Sequence, residues 1–358
     1  MSRHNYGLIL AGGRGTRFWP RSRRRSAKQV LSVVGERSLI QATVDRLAPV
    51  IPPERIWVLT NHYLRDAIVA QLPAVPKAQV LAEPAQRNTA PAIGLAAHIL
   101  DSLDPDAVMG VFPADHVVGR PAVYRSVLRA ALRGAEAGHL MVVGIRPRWP
   151  ETGYGYIEFP RGTPPGTAQP FPVKRFREKP ELPQARRFVA AGNFYWNSGM
   201  FFWRARVLLD QLRQHLPKTA TLLASLPGFG SRQFAAKLVR AFPLCDNISI
   251  DYAVMEKADG VRGLAAADFG WNDVGSWNAV YELLPGDSEG NVTACESVSI
   301  ESHRNFVDAR GKTVALVGVD DLIVIDTPDA MLVARRDLAQ RVGDVVKALE
   351  KRKREDLL

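Results

Sequence analysis

The sequence predicts an α/β protein built on a mixed, mostly parallel sheet, followed by a small C-terminal β domain. Three observations carry this reading. Up to His116, apolar runs that break into glycine or charged residues alternate with stretches of helical periodicity. Strands that alternate with helices need crossover connections, and crossovers build parallel sheets. After about residue 285 the pattern changes to short β runs parted by turns. These shifts place a first domain at 1–285 and a second, β-helix-like domain at 286–358.

The elements follow in order. Residues 7–11 are an apolar run broken by glycines, which predicts the first strand. Leu39–Leu47 is amphipathic and predicts a helix. "RIWVLTN" (55–61) predicts a second strand, Leu64–Leu72 a second helix and "AQVLAEP" (78–84) a third strand. "TAPAIGLAAHIL" (89–100) predicts a helix with Thr89 as N-cap and Pro91 in its first turn. "AVMGVFPADH" (107–116) predicts a fourth strand that ends in charge. Residues 153–181 are rich in turns and proline, which predicts a lid or substrate-binding insertion. A helix is expected over 183–191, before the apolar run 194–203. "FGWNDVGSW" (269–277) reads as a strand ending in a polar turn, and 337–354 as a closing helix.

Composition narrows the function. The chain has 358 residues, 46% hydrophobic and 23% charged, as in ordinary globular proteins. No apolar run approaches the ~18 residues of a membrane span. The short polar start leaves no room for a secretory signal. With Cys245 and Cys295 as the only cysteines, a reducing, cytoplasmic setting is expected. The formal charge of +11 raises the question of a nucleic-acid partner. The basic residues are spread along the chain, however, and the one dense run, "RSRRRSAK" (21–28), lies beside a glycine loop. A positive site for a small polyanion explains that placement better, so neither nucleic acid nor membrane is expected as a partner.

The glycine loop is "LILAGGRGTRFWP" (8–20). It follows a strand, yet it fits neither the dinucleotide G-x-G-x-x-G spacing nor the G-x-x-x-x-G-K-[ST] loop. Gly12, Gly13 and Gly15 leave backbone N–H groups open to phosphate, with no Cβ in the way. In parallel sheets ligands bind beyond the carboxyl ends of the strands. The loop and Asp115 both fall at such ends.

From residue 8 to 277 the chain carries "GGRGTRFWPRSRRRSAKQ", "EPAQRNTAPAI", "FPADH", "GYGYIE", "FREKPE", "FYWNSGMF", "SIDYAVMEK" and "WNDVGSW". In content and order these resemble the sugar-nucleotide pyrophosphorylases, in particular the mannose-1-phosphate guanylyltransferases. The resemblance implies a Rossmann-like, glycosyltransferase-A-like nucleotidyltransferase fold. It implies GTP and mannose 1-phosphate as substrates, GDP-mannose and pyrophosphate as products, and a homodimer. Longer bacterial members carry a fused isomerase domain, which this chain is expected to lack.

The resemblance also implies roles. Leu10, Ala11, Gly12, Gly13, Gly15 and Thr16 lie along the nucleotide, Arg17 meets the departing pyrophosphate, and Lys28 reaches the phosphates. Lys179 faces the sugar phosphate and Glu178 the sugar hydroxyls, with Tyr154, Gly155 and Asn197 beside them. Asp115 and Asp273, at separate strand ends, suit one Mg²⁺, a hard cation that prefers oxygen ligands. Guanine offers N1–H and N2–H₂ donors beside the O6 acceptor. Glu83 is the expected acceptor, with Arg87, Asn88 or Thr89 donating to O6. His116 is expected to pack and not to transfer protons. Trp196, Trp271 and Trp277 are expected to pack around the site. The alternatives are transfer to another sugar 1-phosphate, such as heptose or glucose, and a catalytically silent nucleotide-binding relative. The second reading predicts loss of Arg17, Lys28, Asp115 or Asp273, and all four are present. The C-terminal β domain, which carries none of these motifs, is expected to serve assembly.

Overall fold

A computed structural model describes residues 2–358. The first half alternates strand and helix: β1 (Asn5–Leu10), α1 (Leu39–Leu47), β2 (Ile56–Thr60), α2 (Arg65–Gln71), β3 (Val80–Ala82), α3 (Thr89–Leu103) and β4 (Val108–Pro113). After the two-residue β5 (Val117–Val118) come α4 (Pro121–Glu136) and β6 (Met141–Ile145). The insertion holds β7 (Tyr156–Glu158), β8 (Phe171–Pro172) and β9 (Arg175–Arg177), and α5 (Leu182–Ala191) leads to the long β10 (Phe194–Arg204). Helices α6 (Ala205–His215), α7 (Pro217–Ala224) and α8 (Phe234–Ala241) precede β11 (Arg262–Ala265), β12 (Trp271–Asn272) and α9 (Trp277–Leu283).

The main sheet runs β3-β2-β1-β4-β10-β6-β11-β8, with β7 pairing β10 and β9. Strands β1, β2, β3, β4, β6 and β11 point one way, and β10 is inserted antiparallel between β4 and β6. Alternate residues enter separate cores. Ile9, Ile56 and Val58 pack under α1, α2 and α4, whereas Leu8, Trp57 and Leu59 pack under α3 and α6 to α8. A strand with both faces covered must be apolar throughout, as β2 is, with every residue buried.

Three local expectations need correction. The α3 N-cap is Asn88, whose side chain accepts the Thr89 N–H; Thr89 Oγ1 instead accepts the Ile250 N–H, 2.9 Å away. The strand expected over 269–277 shrinks to β12, which pairs only with β5. The closing helix is a 3₁₀ stretch, Arg336–Arg341, leading into α10 (Val342–Lys351).

The C-terminal strands are β13 (Val292–Thr293), β14 (Ser297–Ile300), β15 (Phe306–Asp308), β16 (Val314–Val317), β17 (Leu322–Asp326) and β18 (Met331–Arg335). Parallel pairs match Ser297 with Val314 and Phe306 with Ile323, seventeen residues on in each case. That repeat is a short parallel β-helix, capped by the antiparallel β18. Only a small cluster, Val307, Ala309 and Leu316, is the domain's own. Phe306, Ile323, Ile325, Leu332, Val342 and Val346 share one apolar cluster with Phe18, Trp19, Val274, Trp277 and Val280. The glycine loop and the Asp273 turn are thus packed onto the C-terminal domain.

Trp277 sits in this shared cluster, 1% exposed, and its Nε1 donates to the Trp19 carbonyl at 3.1 Å. Trp277→Ala should lower unfolding stability by about 3–5 kcal/mol through the cavity it leaves. Urea denaturation followed by circular dichroism measures this, and a loss under about 1 kcal/mol would contradict a shared core.

Candidate active site

The sheet register sets the nucleotide side. Leu10 pairs with Leu59 and Pro113, and Thr60 with Ala82. The ladder continues one step: Ala11 N–H donates to Leu59 O, Glu83 N–H to Thr60 O and Ala114 N–H to Leu10 O. The glycine loop, Glu83 and Asp115 therefore emerge side by side. Carbonyls of the loop are tied back by side chains. Gln29 Nε2 donates to Ala11 O (2.7 Å) and Gly13 O (3.1 Å), and Thr60 Oγ1 to Ala11 O (2.9 Å). Among the described residues, the Gly12 and Gly13 amides have no acceptor. Bound carbonyls and free amides make a loop that faces anions.

The three glycines differ. A Cβ on Gly13 would meet nothing within 4 Å, and one on Gly12 would lie 3.7 Å from Glu83 Oε1. Gly15 has φ +60° and is crowded: its Cβ would lie 2.6 Å from Lys28 Cβ and 3.0 Å from Lys28 N. Gly15 is glycine so that Lys28 can approach. Lys28 Nζ then donates to Asp115 Oδ2 and to the Asp273 carbonyl, each at 2.8 Å. Burial pushes the Asp115 carboxyl up, but the Lys28 ammonium, His116 and hydrogen bonds to the carboxylate together hold the group below its ordinary value. The Asp273 carboxylate accepts from the Tyr154 hydroxyl at 2.5 Å.

Two cavities meet at this junction. One, of about 680 Å³, is lined by Leu10 to Arg14, Gln29, Glu83, Asn88, Thr89, Asp115 and Asn247. The α3 N-terminus opens onto it, adding a positive helix end. Glu83 is largely desolvated there, which pushes its carboxyl up to about 8. Arg87 is not in this lining; its charge acts on the Cys245 thiol, and its Nε is buried without a partner among the described residues. Gly15 and Thr16 also lie outside it, beneath the loop. The second cavity, of about 550 Å³, is lined by Arg17, Tyr154, Trp196, Trp271, Asp273 and Gln340, among others. His116 sits under the junction, accepting from Trp271 Nε1 at 3.2 Å. Burial lowers its pKa to about 4 despite the nearby Asp115 and Asp273 charges. It is a neutral packing histidine.

Beyond Tyr154 the expected sugar residues converge. Asn197 N–H donates to Gly155 O (2.7 Å), and Lys179 N–H to Tyr154 O (3.2 Å). A Cβ on Gly155 would lie 2.4 Å from Glu178 Oε2 and 3.2 Å from Asn197 Cβ, so only glycine lets the three meet. Asp251 and Glu256 join them: Asn197 Nδ2 donates to Asp251 Oδ1 (3.0 Å) and Glu178 N–H to Glu256 Oε1 (2.9 Å). Burial, reinforced by the Asp251 charge, raises Glu178 to about 7. Asp251 was not foreseen as a site residue. It lies on a single π-helical turn, Asp251–Met255, a device often found at functional sites, and "SIDYAVMEK" was its only signal.

The dense basic run has a different use from the one expected. Arg21 pairs with Asp308 (2.6 Å), Arg23 with Asp329 (3.0 Å) and Arg24 with Glu355, while Arg14 pairs with Glu350 (2.8 Å). These arginines pair with acids of the C-terminal domain, a use the sequence did not suggest, and Arg14 also lines the first cavity described above. Arg17 Nη1 donates to Gln340 Oε1 at 2.5 Å, which brings a C-terminal residue into the second cavity, where sequence motifs gave no hint of it.

An anion-facing glycine loop, a strand-end aspartate and an adjoining second cavity fit a nucleotidyl-transferring enzyme. Comparison with known proteins agrees. A Nucleotidyl transferase family model matches residues 6–289, and a MannoseP isomerase/GMP-like beta-helix domain model matches 295–349. A mannose-1-phosphate guanylyltransferase of Escherichia coli is 38% identical over 352 residues, 97% of this chain and 74% of the relative. The xanthan biosynthesis protein XanB of Xanthomonas campestris is 40% identical over 347 residues, covering 96% and 73%. A crystal structure from Thermus thermophilus, described as a mannose-1-phosphate geranyltransferase, superposes with TM-score 0.86 at 34% identity, covering 97% and 99%. The chain belongs to the mannose-1-phosphate guanylyltransferases of the nucleotidyl transferase family.

Glu83 gives a pH prediction. Its folded pKa, about 8, lies above its ordinary 4.5, so the folded chain holds a proton that the unfolded chain releases. The resulting stabilisation is complete below 4.5 and is lost as pH rises through 8. Glu83→Gln is neutral at every pH and should gain stability over the parent between about pH 5 and about pH 9. Thermal unfolding at the two values reads the difference; a pH-independent difference would show that Glu83 is solvated.

Proposed function

We propose that the enzyme joins GTP and mannose 1-phosphate into GDP-mannose and pyrophosphate, by in-line attack of the sugar-phosphate oxygen on the α-phosphate. The observation that carries this is the junction at Lys28, which ties Asp115, in the wall of a nucleotide-sized cavity, to Asp273, in the wall of a second, arginine-bearing cavity. A phosphate monoester has a second pKa of about 6 and is already largely dianionic at neutral pH. No general base is needed, which fits a buried His116 with a pKa of about 4. The remaining task is to hold two anions in line and offset their charge.

In this reading the triphosphate lies along the Gly12 and Gly13 amides, and Arg17 receives the charge that grows on the leaving pyrophosphate. Lys179, exposed and 3.5 Å from Glu178, faces the sugar phosphate. Glu178, Asp251 and Asn197 accept from or donate to sugar hydroxyls. Asp115 and Asp273 would hold Mg²⁺. Their donor set suits a hard cation: both are carboxylates beside the junction, and the Asp115 side chain stays 37% exposed. When bound, the ion would neutralise part of the triphosphate charge and polarise the α-phosphate. Two further parts of the proposal are a cytoplasmic setting, suggested by two free cysteines, and a homodimer. The exposed Val298, Ile300 and Val317 on β14 and β16 support pairing through the β-helix.

Pyrophosphate release tests the function. GTP should exceed ATP by at least about tenfold in kcat/KM, since guanine's N1–H and N2–H₂ donors stabilise Glu83 as the carboxylate, whereas adenine leaves that carboxylate unpaired at a cost of roughly 1–3 kcal/mol. Inosine triphosphate, which lacks the 2-amino group, should fall between them. Glu83→Gln should shrink the preference. Release that survives excess chelator would remove the metal from the scheme. Lys179→Ala should raise the KM for mannose 1-phosphate about tenfold or more with little change in kcat, because it meets an anion already present in the ground state. A pure kcat effect would place Lys179 on the leaving group instead.

A further inference from the structure

We propose that Gln340, supplied by the C-terminal domain, is a positioning residue for nucleotidyl transfer: it aims the Arg17 guanidinium into the second cavity. The proposal rests on the reading that Arg17 meets the leaving pyrophosphate.

Segment 340–350 surrounds the loop that carries Arg17. Gln340 Oε1 accepts from Arg17 Nη1 at 2.5 Å, and both residues line the same cavity. One turn on, a Cβ at Gly343 would lie 3.5 Å from Thr16 Oγ1 and 3.7 Å from Arg17 Cγ, so the helix start rests on the Arg17 stem. Val342 and Val346 pack in one cluster with Phe18, and Glu350 pairs with Arg14. The loop is gripped from one side along its length.

The chemistry of the grip is selective. Arg14, Arg21, Arg23 and Arg24 each meet a carboxylate of the C-terminal domain. Arg17, in the same stretch, meets a neutral amide. A carboxylate would fix the guanidinium equally well, but it would also cancel the charge that a pyrophosphate needs. An amide oxygen takes one of the five N–H donors and leaves the positive charge and the remaining donors for the anion. Arg17 has a long side chain of high rotamer entropy, so an anchor that leaves its charge intact raises the fraction of time it spends in reach.

The test uses the full-length chain. Gln340→Ala should lower kcat about tenfold while both substrate KM values stay within about twofold, because the anchor acts through a contact made in the transition state. Its melting temperature should match the parent, since Gln340 is exposed. Gln340→Glu keeps the acceptor but adds a charge, and should raise the KM for pyrophosphate in the reverse reaction about tenfold. The double variant Arg17→Ala/Gln340→Ala should be no slower than Arg17→Ala alone. Parental kcat in Gln340→Ala overturns the proposal, and so do losses that multiply in the double variant. Parental turnover in Arg17→Ala would instead overturn the Arg17 assignment on which it rests.

Discussion

The Lys28 ammonium joins segments that are 87 and 245 residues away in sequence, through the Asp115 carboxylate and the Asp273 carbonyl. Its side chain is only 6% exposed, so it has given up water and depends on these contacts in return. Such a pair adds little net stability compared with an apolar substitute, but it fixes geometry, because losing either partner strands a buried charge. Everything else at the site is arranged around it. Gly15 clears the space for its approach, Phe18 lies beneath its ammonium at 5.3 Å, and the two cavities open on either side.

The C-terminal domain is bound to this centre by two different forces. Surface ion pairs are worth about 0–1 kcal/mol each, and the largely buried Arg21–Asp308 pair must offset its own desolvation, so the arginine pairs are not the main attachment. Burial of Phe18, Trp19, Val274 and Trp277 against the β-helix and α10 supplies that. The ion pairs act on register: Arg14, Arg21, Arg23 and Arg24 each meet a different acid of the domain. The C-terminal domain packs directly against the elements that carry the candidate site. The glycine loop and the Asp273 turn have no complete core without residues 292–358.

Much of this was legible in the sequence, and the rest was hidden for physical reasons. The strands and helices up to His116 were readable because buried parallel strands are apolar throughout and amphipathic helices keep a period of about 3.6. The loop, Lys28, Asp115, Asp273 and the residues around Gly155 were picked out by the motif resemblance, and the fold brings them to one end of the sheet. The destination of the basic run was not readable. An arginine that neutralises a distant aspartate and one that awaits a phosphate look alike in sequence, and only the fold brings Asp308 to Arg21. Gln340 was invisible for the same reason: a neutral, exposed side chain carries no signal until its partner is known. Asn88 displaced Thr89 as the cap because Thr89 Oγ1 was already committed to Ile250, a contact 161 residues away.

In the proposed reading, the cleft also has a polarity that follows its cargo. Toward the nucleotide, free amides, a helix N-terminus and Arg17 present positive potential. Toward the sugar, Glu178, Asp251 and Glu256 crowd together, and burial and mutual repulsion raise Glu178 to about 7. Three acids in one pocket would be a liability for a phosphate, yet hydroxyl groups need acceptors, and the Glu178 carboxyl, raised to about 7, can both accept and donate near neutral pH. Lys179 stands where the two fields meet, its backbone held at φ 44° and tied to Tyr154, its ammonium beside Glu178. A non-glycine residue at positive φ costs free energy that the surroundings must offset. The strain is consistent with a cation that must face the phosphate end of a ligand whose other end lies among acids.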